Sequence, residues 1–131
     1  MLRKHIYQHL QDILGDVAIY PSEAPEDATL PAVAYSIISN IPGRKLSGAS
    51  GEATARVQID VESTDHAEID TLAHTLTTSL HGYRGEIGDD LWGVVWQDNE
   101  IEKPKPYVDG SGRTGYMTSR DFMIHYCSKS A

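Results

Sequence analysis

The chain has 131 residues, 40% of them apolar, so it fits a single domain spanning residues 1–131 with one core. Its 11 basic and 19 acidic residues give a net charge of −8, which disfavours binding of nucleic-acid phosphates through clustered Lys and Arg. One cysteine, Cys127, excludes an internal disulfide, and no apolar run approaches the roughly 20 residues that a membrane span needs.

The first 14 residues predict a short amphipathic helix that ends at Gly15. Its apolar side is formed by Leu2, Ile6, His9 or Leu10, Ile13 and Leu14. Residues 17–20 predict a short strand, which Pro21 stops because proline lacks a backbone N–H. Residues 21–31 contain three prolines and three acidic residues, a composition typical of a loop.

Two strands that we expect to pair come next. In residues 53–62 apolar and polar side chains alternate, and the β-branched and aromatic content of residues 32–39 favours a second strand. Residues 41–52 lie between them, with three glycines, one proline and two serines, too flexible a composition for a regular element. Since unstructured connections of about a dozen residues are uncommon in compact domains, this loop is either a candidate contact or a floppy hairpin tip.

A second helix is predicted to begin near Asp65, where Ser63 and Thr64 can cap it. Asp65 and Glu68 place negative charge against the positive end of its dipole, and Gly82 is suited to end it. The apolar stripe of this helix consists of Ile69, Leu72, Ala73, Leu76 and Leu80. Neither this helix nor the strand before it can bury its apolar side alone, so the helix is expected to lie across the sheet.

Two further strands are predicted after this helix, and we expect them to pair as a hairpin. The turn-rich residues 83–90 lead into a long strand in residues 91–104, in which Gly93 marks a bulge. The core candidates of that strand are Leu91, Val94 or Val95, Trp96 and Ile101. Residues 116–126 predict the last strand, whose inward face stays open because both of its faces are partly apolar.

The order of these elements is helix, three strands, helix and two strands, which indicates an α+β domain. We expect a mostly antiparallel β-sheet of four to five strands with two helices packed on one face. The chain shows no internal repeat and no heptad run that would indicate a solenoid or a coiled coil.

The titratable side chains match no known catalytic or metal-binding motif. His5 and His9 are four residues apart, as in some zinc sites, but no glutamate lies between them as in an HExxH motif. His125 and Cys127 share one side of the last strand, although a structural thiol is the more common situation. We therefore expect no catalytic residue and no metal ligand.

Two other patterns suggest chemistry only weakly. Residues 43–51 combine glycines with a lysine but lack the Gly-Lys-Ser/Thr order of a phosphate-binding loop, so no cofactor is expected. Trp92 and Trp96 are expected on the same side of one strand. They fit a stacking platform, although core or interface packing is the commoner use of tryptophan.

Two flexible segments are basic on an otherwise acidic chain. Residues 42–52 carry a net charge of +1 and residues 103–113 a net charge of +2, which leaves −11 on the rest of a chain whose total is −8. This pattern suits loops that contact the acidic surface of a neighbouring copy and close a head-to-tail ring, although charged solvated loops are also common. The predicted contact residues are Arg44, Lys45, Leu46, Lys103, Lys105, Tyr107 and Arg113.

The order of the segments resembles that of the tail completion, or tail terminator, proteins of long-tailed, siphovirus-like bacteriophages and prophages. The similar segments are the N-terminal helix, LPAVAYSI, the glycine-rich loop, RVQIDVES, the helix with an acidic start, and RDFMIHY. The resemblance spans nearly the whole chain. Its specificity comes from the order and spacing of the segments in a domain of this size.

The resemblance implies a structural virion protein that is not an enzyme. Such a protein forms a ring, a hexamer in this family, at the head-proximal end of the tail tube, stops tube polymerisation and supports head-tail joining. Its implied partners are further copies of itself, the tail tube protein and head-connector or neck proteins, with DNA only as passing cargo and no membrane. The implied location is the virion tail, after synthesis in the host bacterial cytoplasm.

Three alternatives remain open from the residues alone. A neck or head-completion protein also needs a small ring-forming α+β subunit. A monomeric adaptor would bind another protein through its flexible loops. A small hydrolase or metal-dependent enzyme would use His125 with Cys127, or the N-terminal histidines, and would need a pocket with a perturbed titrating group.

Overall fold

The computed structural model of the chain describes residues 2–22, 24, 31–45, 48–102, 107–108 and 114–128. The elements within these residues are α1 (Leu2–Leu14), β1 (Ala18–Pro21), β2 (Ala32–Lys45), β3 (Gly48–Ser63), α2 (His66–Leu80), β4 (Gly85–Ile87), β5 (Asp90–Trp92), β6 (Trp96–Glu102), β7 (Tyr107–Val108) and β8 (Thr114–Ser128). The α+β class is confirmed. The expected number of four to five strands is wrong, because the described residues form eight strands. The sheet, expected to be mostly antiparallel, is mixed, since β1 runs parallel to β2 while the other pairs are antiparallel.

The additional strands are very short, which explains why the sequence did not predict them. β4, β5 and β7 are two or three residues long, and a strand of that length cannot display an alternation of apolar and polar residues. Residues 83–90, predicted as turns, contain all of β4 and the start of β5, which pair with each other. Most of the predicted loop 21–31 lies outside the described residues.

The last strand, β8, lies at the centre of the sheet. It pairs with β3 along one edge, from Glu52 opposite Cys127 to Ser63 opposite Tyr116. Along its other edge it pairs in turn with β7, β6 and β5. β2 and β1 continue the sheet beyond β3. The predicted pairing of β2 with β3 is confirmed, as is that of the last two long strands.

Both helices share a single apolar core with alternate residues of the long strands. α1 buries Leu2, His5, Ile6 and Leu10. α2 buries Ile69, Ala73, Leu76 and Leu80, which confirms its predicted stripe. The strands contribute Val33, Tyr35, Ala55, Val57, Ile59, Val61, Phe122 and Ile124. The inward face of β8, which the sequence left open, is therefore the one that carries Phe122 and Ile124.

The predicted start of α2 near Asp65 is confirmed, with a cap that differs from the expected one. The N-cap is Asp65, whose carboxylate accepts a hydrogen bond from the backbone N–H of Ala67 at 2.9 Å. Ser63 supports this cap instead of forming it, since its hydroxyl accepts from the N–H of Asp65 and donates to Glu68 at 2.6 Å. At the other end, Gly82 has a φ of +85°, a conformation that favours glycine after a helix.

The predicted long strand in residues 91–104 is interrupted. Residues 93–95 lie outside the strands, where the N–H of Gly93 donates to the carbonyl of His125 at 2.7 Å and the N–H of Val95 donates to Tyr83 at 2.8 Å. The interruption resets the alternation of side chains. Trp92 is consequently buried and Trp96 is 57% exposed, so the expectation that they share one side of a strand is wrong.

The glycine-rich residues 41–52 are mostly strand, which corrects the expectation of an irregular loop. β2 continues to Lys45 and β3 begins at Gly48, with those two residues opposite each other. Two register shifts, after Ile37 and after Pro42, interrupt this pairing. We call residues 42–45 and 48–51 the hairpin arm. Within the described residues, the two strands of the arm pair only with each other, because the pairing of β3 with β8 stops at Glu52.

A buried polar contact fastens α1 to the β4–β5 hairpin. Nδ1 of His5 lies 2.6 Å from Oδ2 of Asp90, and both side chains are only 7% exposed. Gly88, in the turn of this hairpin, has a φ of +57° and approaches the His5 ring so closely that a Cβ atom there would lie 2.5 Å from Nε2. Glycine is therefore required at this turn for both its backbone conformation and its lack of a side chain.

The variant Gly88→Ala is expected to lower the free energy of unfolding by about 2–4 kcal/mol, since alanine is strained at this φ and its methyl group displaces His5 from Asp90. Urea unfolding measures the change. Gly15→Ala is the matched control, because Gly15 has a φ of +64° with no atom within 4 Å of the added Cβ. Equal losses in the two variants would contradict the proposed clash with His5.

Candidate functional site

The face of the sheet opposite the helices is the candidate functional surface, and we call it the outer face. It is formed by the residues that alternate with the core residues of the same strands. On the two central strands these residues are Thr54, Arg56, Gln58, Asp60, Ser119, Asp121, Met123 and His125. The outer face continues onto the residues of β2, β5 and β6 that lie opposite these positions.

The centre of the outer face is a charged cluster. Arg56 donates to Asp98 at 2.7 Å and to Asp121 at 3.1 Å, and the hydrogen bond to Asp98 is the main reason that the pKa of Arg56 is raised. Beside this cluster the hydroxyl of Ser119 donates to Asp60 at 2.5 Å. The centre of the face thus holds three carboxylates and one guanidinium, which bonds two of them, so its formal charge is −2.

Large apolar side chains are exposed around this cluster. Register places Trp96 opposite Met123 and Ile101 opposite Ser119, so both side chains belong to the outer face. The exposed large apolar residues of the outer face are Ile41 (65%), Leu91 (40%), Trp96 (57%) and Ile101 (43%). Single exposed apolar residues are ordinary on protein surfaces, but several on one face are typical of an interaction surface.

This exposure corrects the predicted core of the 91–104 segment. Of its candidates, Val95 is fully buried, whereas Leu91, Trp96 and Ile101 are exposed. The reason is two irregularities in this segment. Across the interruption at residues 93–95, Trp92 and Val95 are buried whereas Trp96 is exposed, and the register shift between Gln97 and Asn99 then places Ile101 on the same face as Trp96. The sequence carried one indication that the segment after Trp96 is exposed, since the next four residues are all acidic or amide residues.

The structure describes the backbone at three of the seven predicted contact positions. Arg44 and Lys45 lie in the hairpin arm, whereas Tyr107 lies in β7 opposite Gly115. The positions outside the described residues are Leu46, Lys103, Lys105 and Arg113. A contact role for all seven remains a prediction.

The pair His125 and Cys127 lacks the geometry of a nucleophile and its base. Both side chains line an open cleft of about 270 Å³. The two ring nitrogens of His125, however, lie against other groups, with Nδ1 3.1 Å from the Thr54 hydroxyl and Nε2 3.4 Å from the Glu52 carboxylate. Activation of a thiol requires the base to contact it, so this arrangement does not favour thiol chemistry.

The N-terminal histidines do not converge on a common ligand position. His5 is bonded to Asp90, and His9 packs between Tyr83 and Trp92 with ring centroids 4.3 and 5.6 Å away. Within the described ranges, no group of three or more His, Cys, Asp and Glu residues is arranged to hold a metal ion. None of the helices in the described part of the chain has the length and apolar character needed to cross a membrane.

Burial changes the protonation of His9. Burial lowers its pKa from 6.5, and the negative charge of Asp12 opposes this only partly. Nε2 of His9 is buried without a hydrogen-bond partner among the described residues. Because the folded protein resists protonation of this ring, His9 contributes stability that is complete above pH 6.5 and is lost as the pH falls through the lowered pKa.

The variant His9→Phe is therefore expected to lose less stability on acidification than the parent protein, because phenylalanine fills the same aromatic contacts without titrating. The measurement is urea unfolding at about pH 7.5 and about pH 5.5, on either side of the ordinary histidine pKa. His74→Phe serves as a control, since His74 is exposed on α2. A pH dependence that is identical in His9→Phe and the parent would contradict this role.

The sequence model of the family described as tail completion protein gp17 matches residues 4–102. No curated protein sequence matches the chain. Among solved structures, a chain from the virion of a native gene transfer agent particle is similar with a TM-score of 0.55 and 17% sequence identity. The similarity covers 97% of this chain and 93% of that chain, and at this identity it shows a shared fold.

Proposed function

The chain belongs to the tail completion protein gp17 family, and on this basis we propose that it forms a ring, a hexamer, at the head-proximal end of a bacteriophage tail tube. Family membership makes it a structural protein of the phage tail, located in the virion. In the proposed role the ring stops polymerisation of the tube and supports the joining of tail and head. This role requires no catalytic site.

The observation that carries the ring proposal is the composition of the outer face. A closed ring requires each subunit to offer two different surfaces that complement one another. The outer face, with a charged centre and exposed Ile41, Leu91, Trp96 and Ile101, is suited to be one of them. Interfaces commonly combine aromatic and aliphatic anchors with polar groups in this manner.

The proposed partners are further copies of the chain, the tail tube protein, and the head-connector or neck proteins. DNA would pass through the ring as cargo. The net charge of −8 supports this part of the proposal, because a negatively charged subunit does not attract the DNA backbone strongly.

Tube capping tests the proposal directly. Tail tube protein from the phage or prophage that encodes the chain is polymerised with increasing amounts of the purified protein, and tube lengths are measured by negative-stain imaging. We expect shorter tubes that carry the protein at one end only. Unchanged tube lengths, or binding along the whole tube wall, would contradict a terminating role.

A further inference from the structure

We propose that the hairpin arm of one subunit lies on the outer face of the next subunit in the ring. This inference rests on the proposed ring and names the two surfaces that would form its repeated contact. The arm is the donor surface, and the cluster around Arg56 with its apolar neighbours is the acceptor surface. The contact is head-to-tail, because the two surfaces are different parts of the same chain.

The acceptor surface is acidic and incompletely satisfied. Of its three carboxylates, Asp98 and Asp121 share the guanidinium of Arg56, whereas Asp60 accepts hydrogen bonds from the neutral side chains of Ser119 and Gln58. Oδ1 of Asp121 is buried and has no hydrogen-bond partner among the described residues, although Oδ2 of the same carboxylate accepts from Arg56. A basic segment placed on this surface would compensate its excess negative charge.

The hairpin arm is basic in sequence, and its backbone extends past the last residue of β3 that pairs with β8. The arm carries Arg44 and Lys45 and no acidic residue, since Glu52 lies just beyond it. The four β3 residues of the arm extend about 13 Å past the last position that pairs with β8. That length spans nearly three strands of a neighbouring sheet at about 4.8 Å each. β2 has two register shifts, and irregularities of this kind generally bend a strand and increase its local twist.

The geometry points to a second copy as the occupant of the acceptor surface. Gly48 and Arg56 lie eight positions apart on the same strand, a separation of about 26 Å in extended backbone. The arm therefore cannot lie on the cluster of its own subunit without losing the pairing of β2 with β3. A neighbouring subunit offers the same acidic cluster without that restriction, and its charge is opposite to that of the arm.

A charge swap tests this contact through the oligomeric state. Arg44→Glu/Lys45→Glu reverses the arm, and Asp98→Lys reverses the most accessible carboxylate of the cluster, whose side chain is 48% exposed. We expect each change to weaken self-association roughly ten-fold or more, because each brings like charges together. Combining the two changes should restore much of the lost association, since the arm is then acidic and the cluster more basic.

Matched controls separate this contact from a general effect of net charge. The control for the arm variant is Arg3→Glu/Lys4→Glu, which makes the same change in net charge at exposed positions of α1. The control for Asp98→Lys is Asp70→Lys, which makes the same change at an exposed position of α2. We expect neither control to change association by more than about two-fold, since screened surface charges act weakly at a distance. Light scattering over a concentration series measures the association of each variant, and circular dichroism checks that each variant is folded.

The outcomes distinguish this inference from the proposed ring. The arm contact is supported if the arm variant and Asp98→Lys each weaken association and the protein that carries both changes recovers it. Rings in the parent protein that persist in the arm variant would overturn the arm contact and leave the ring proposal standing. Weakening without recovery would also overturn it. A parent protein that forms no assembly even near millimolar concentration would overturn both proposals.

Discussion

Replacing Trp96 with aspartate is expected to weaken self-assembly by about 30-fold or more, which corresponds to at least about 2 kcal/mol, the loss typical of an interface hot spot. Trp96 is 57% exposed and is the largest apolar side chain exposed on the outer face. Aspartate removes its contact area and adds negative charge beside an acidic cluster. The proposed interface would then lose apolar burial and would have to bury a carboxylate in place of an indole ring.

The same change should affect folding little. The Trp96 ring is largely exposed and packs edge-on against His81 at a centroid distance of 5.2 Å, and the register of β6 with β8 depends on backbone pairing. We therefore expect the free energy of unfolding to fall by less than about 1 kcal/mol, as for most surface substitutions. Val94→Asp is the control, since Val94 is 37% exposed in the interrupted segment between β5 and β6. Equal loss of assembly in the two variants would contradict a specific role for Trp96.

Phe122→Ala is expected to lower the free energy of unfolding by about 3–5 kcal/mol, the usual cost of removing a fully buried aromatic side chain. Phe122 is 1% exposed and lies in the central strand, opposite Val57 of β3 and Gln97 of β6. Such a loss is a large part of the roughly 5–15 kcal/mol that stabilises an ordinary domain. The measurement is equilibrium urea unfolding of the parent and variant proteins.

Met123→Ala provides the control for Phe122→Ala, because the next residue of the same strand lies on the outer face and is only partly buried. We expect it to cost less than half as much stability. Similar losses at positions 122 and 123 would contradict the assignment of inward and outward faces to β8. That assignment also defines the outer face, so this comparison bears on the functional surface as well.

The sequence predicted the elements whose periodicity is long enough to recognise. α1, α2 and the paired strands β2 and β3 were identified from their apolar spacing, and their burial follows that spacing. The two- and three-residue strands were missed because alternation cannot be seen over so few residues. The hairpin arm was missed for a different reason: glycine disfavours strands on average, but pairing with a partner strand overrides that preference.

The outer face could not be predicted because it depends on which of the alternating side chains of each strand point away from the core. The interruption at residues 93–95 and the register shift between Gln97 and Asn99 together place Trp96 and Ile101 on the outer face. The sequence indicated a bulge at Gly93 but not the second irregularity. The charged cluster depends on three strands coming together, since Arg56, Asp98 and Asp121 are far apart in the chain. The basic character of residues 42–52, by contrast, could be read from composition alone.

The most direct test of the account is the native mass of the purified protein, measured by light scattering across a wide concentration range and combined with negative-stain imaging of the most concentrated sample. The proposed function predicts a species with six times the mass of one chain and a ring with six-fold symmetry. A strict monomer at every concentration would contradict self-assembly through the outer face and would favour a monomeric adaptor.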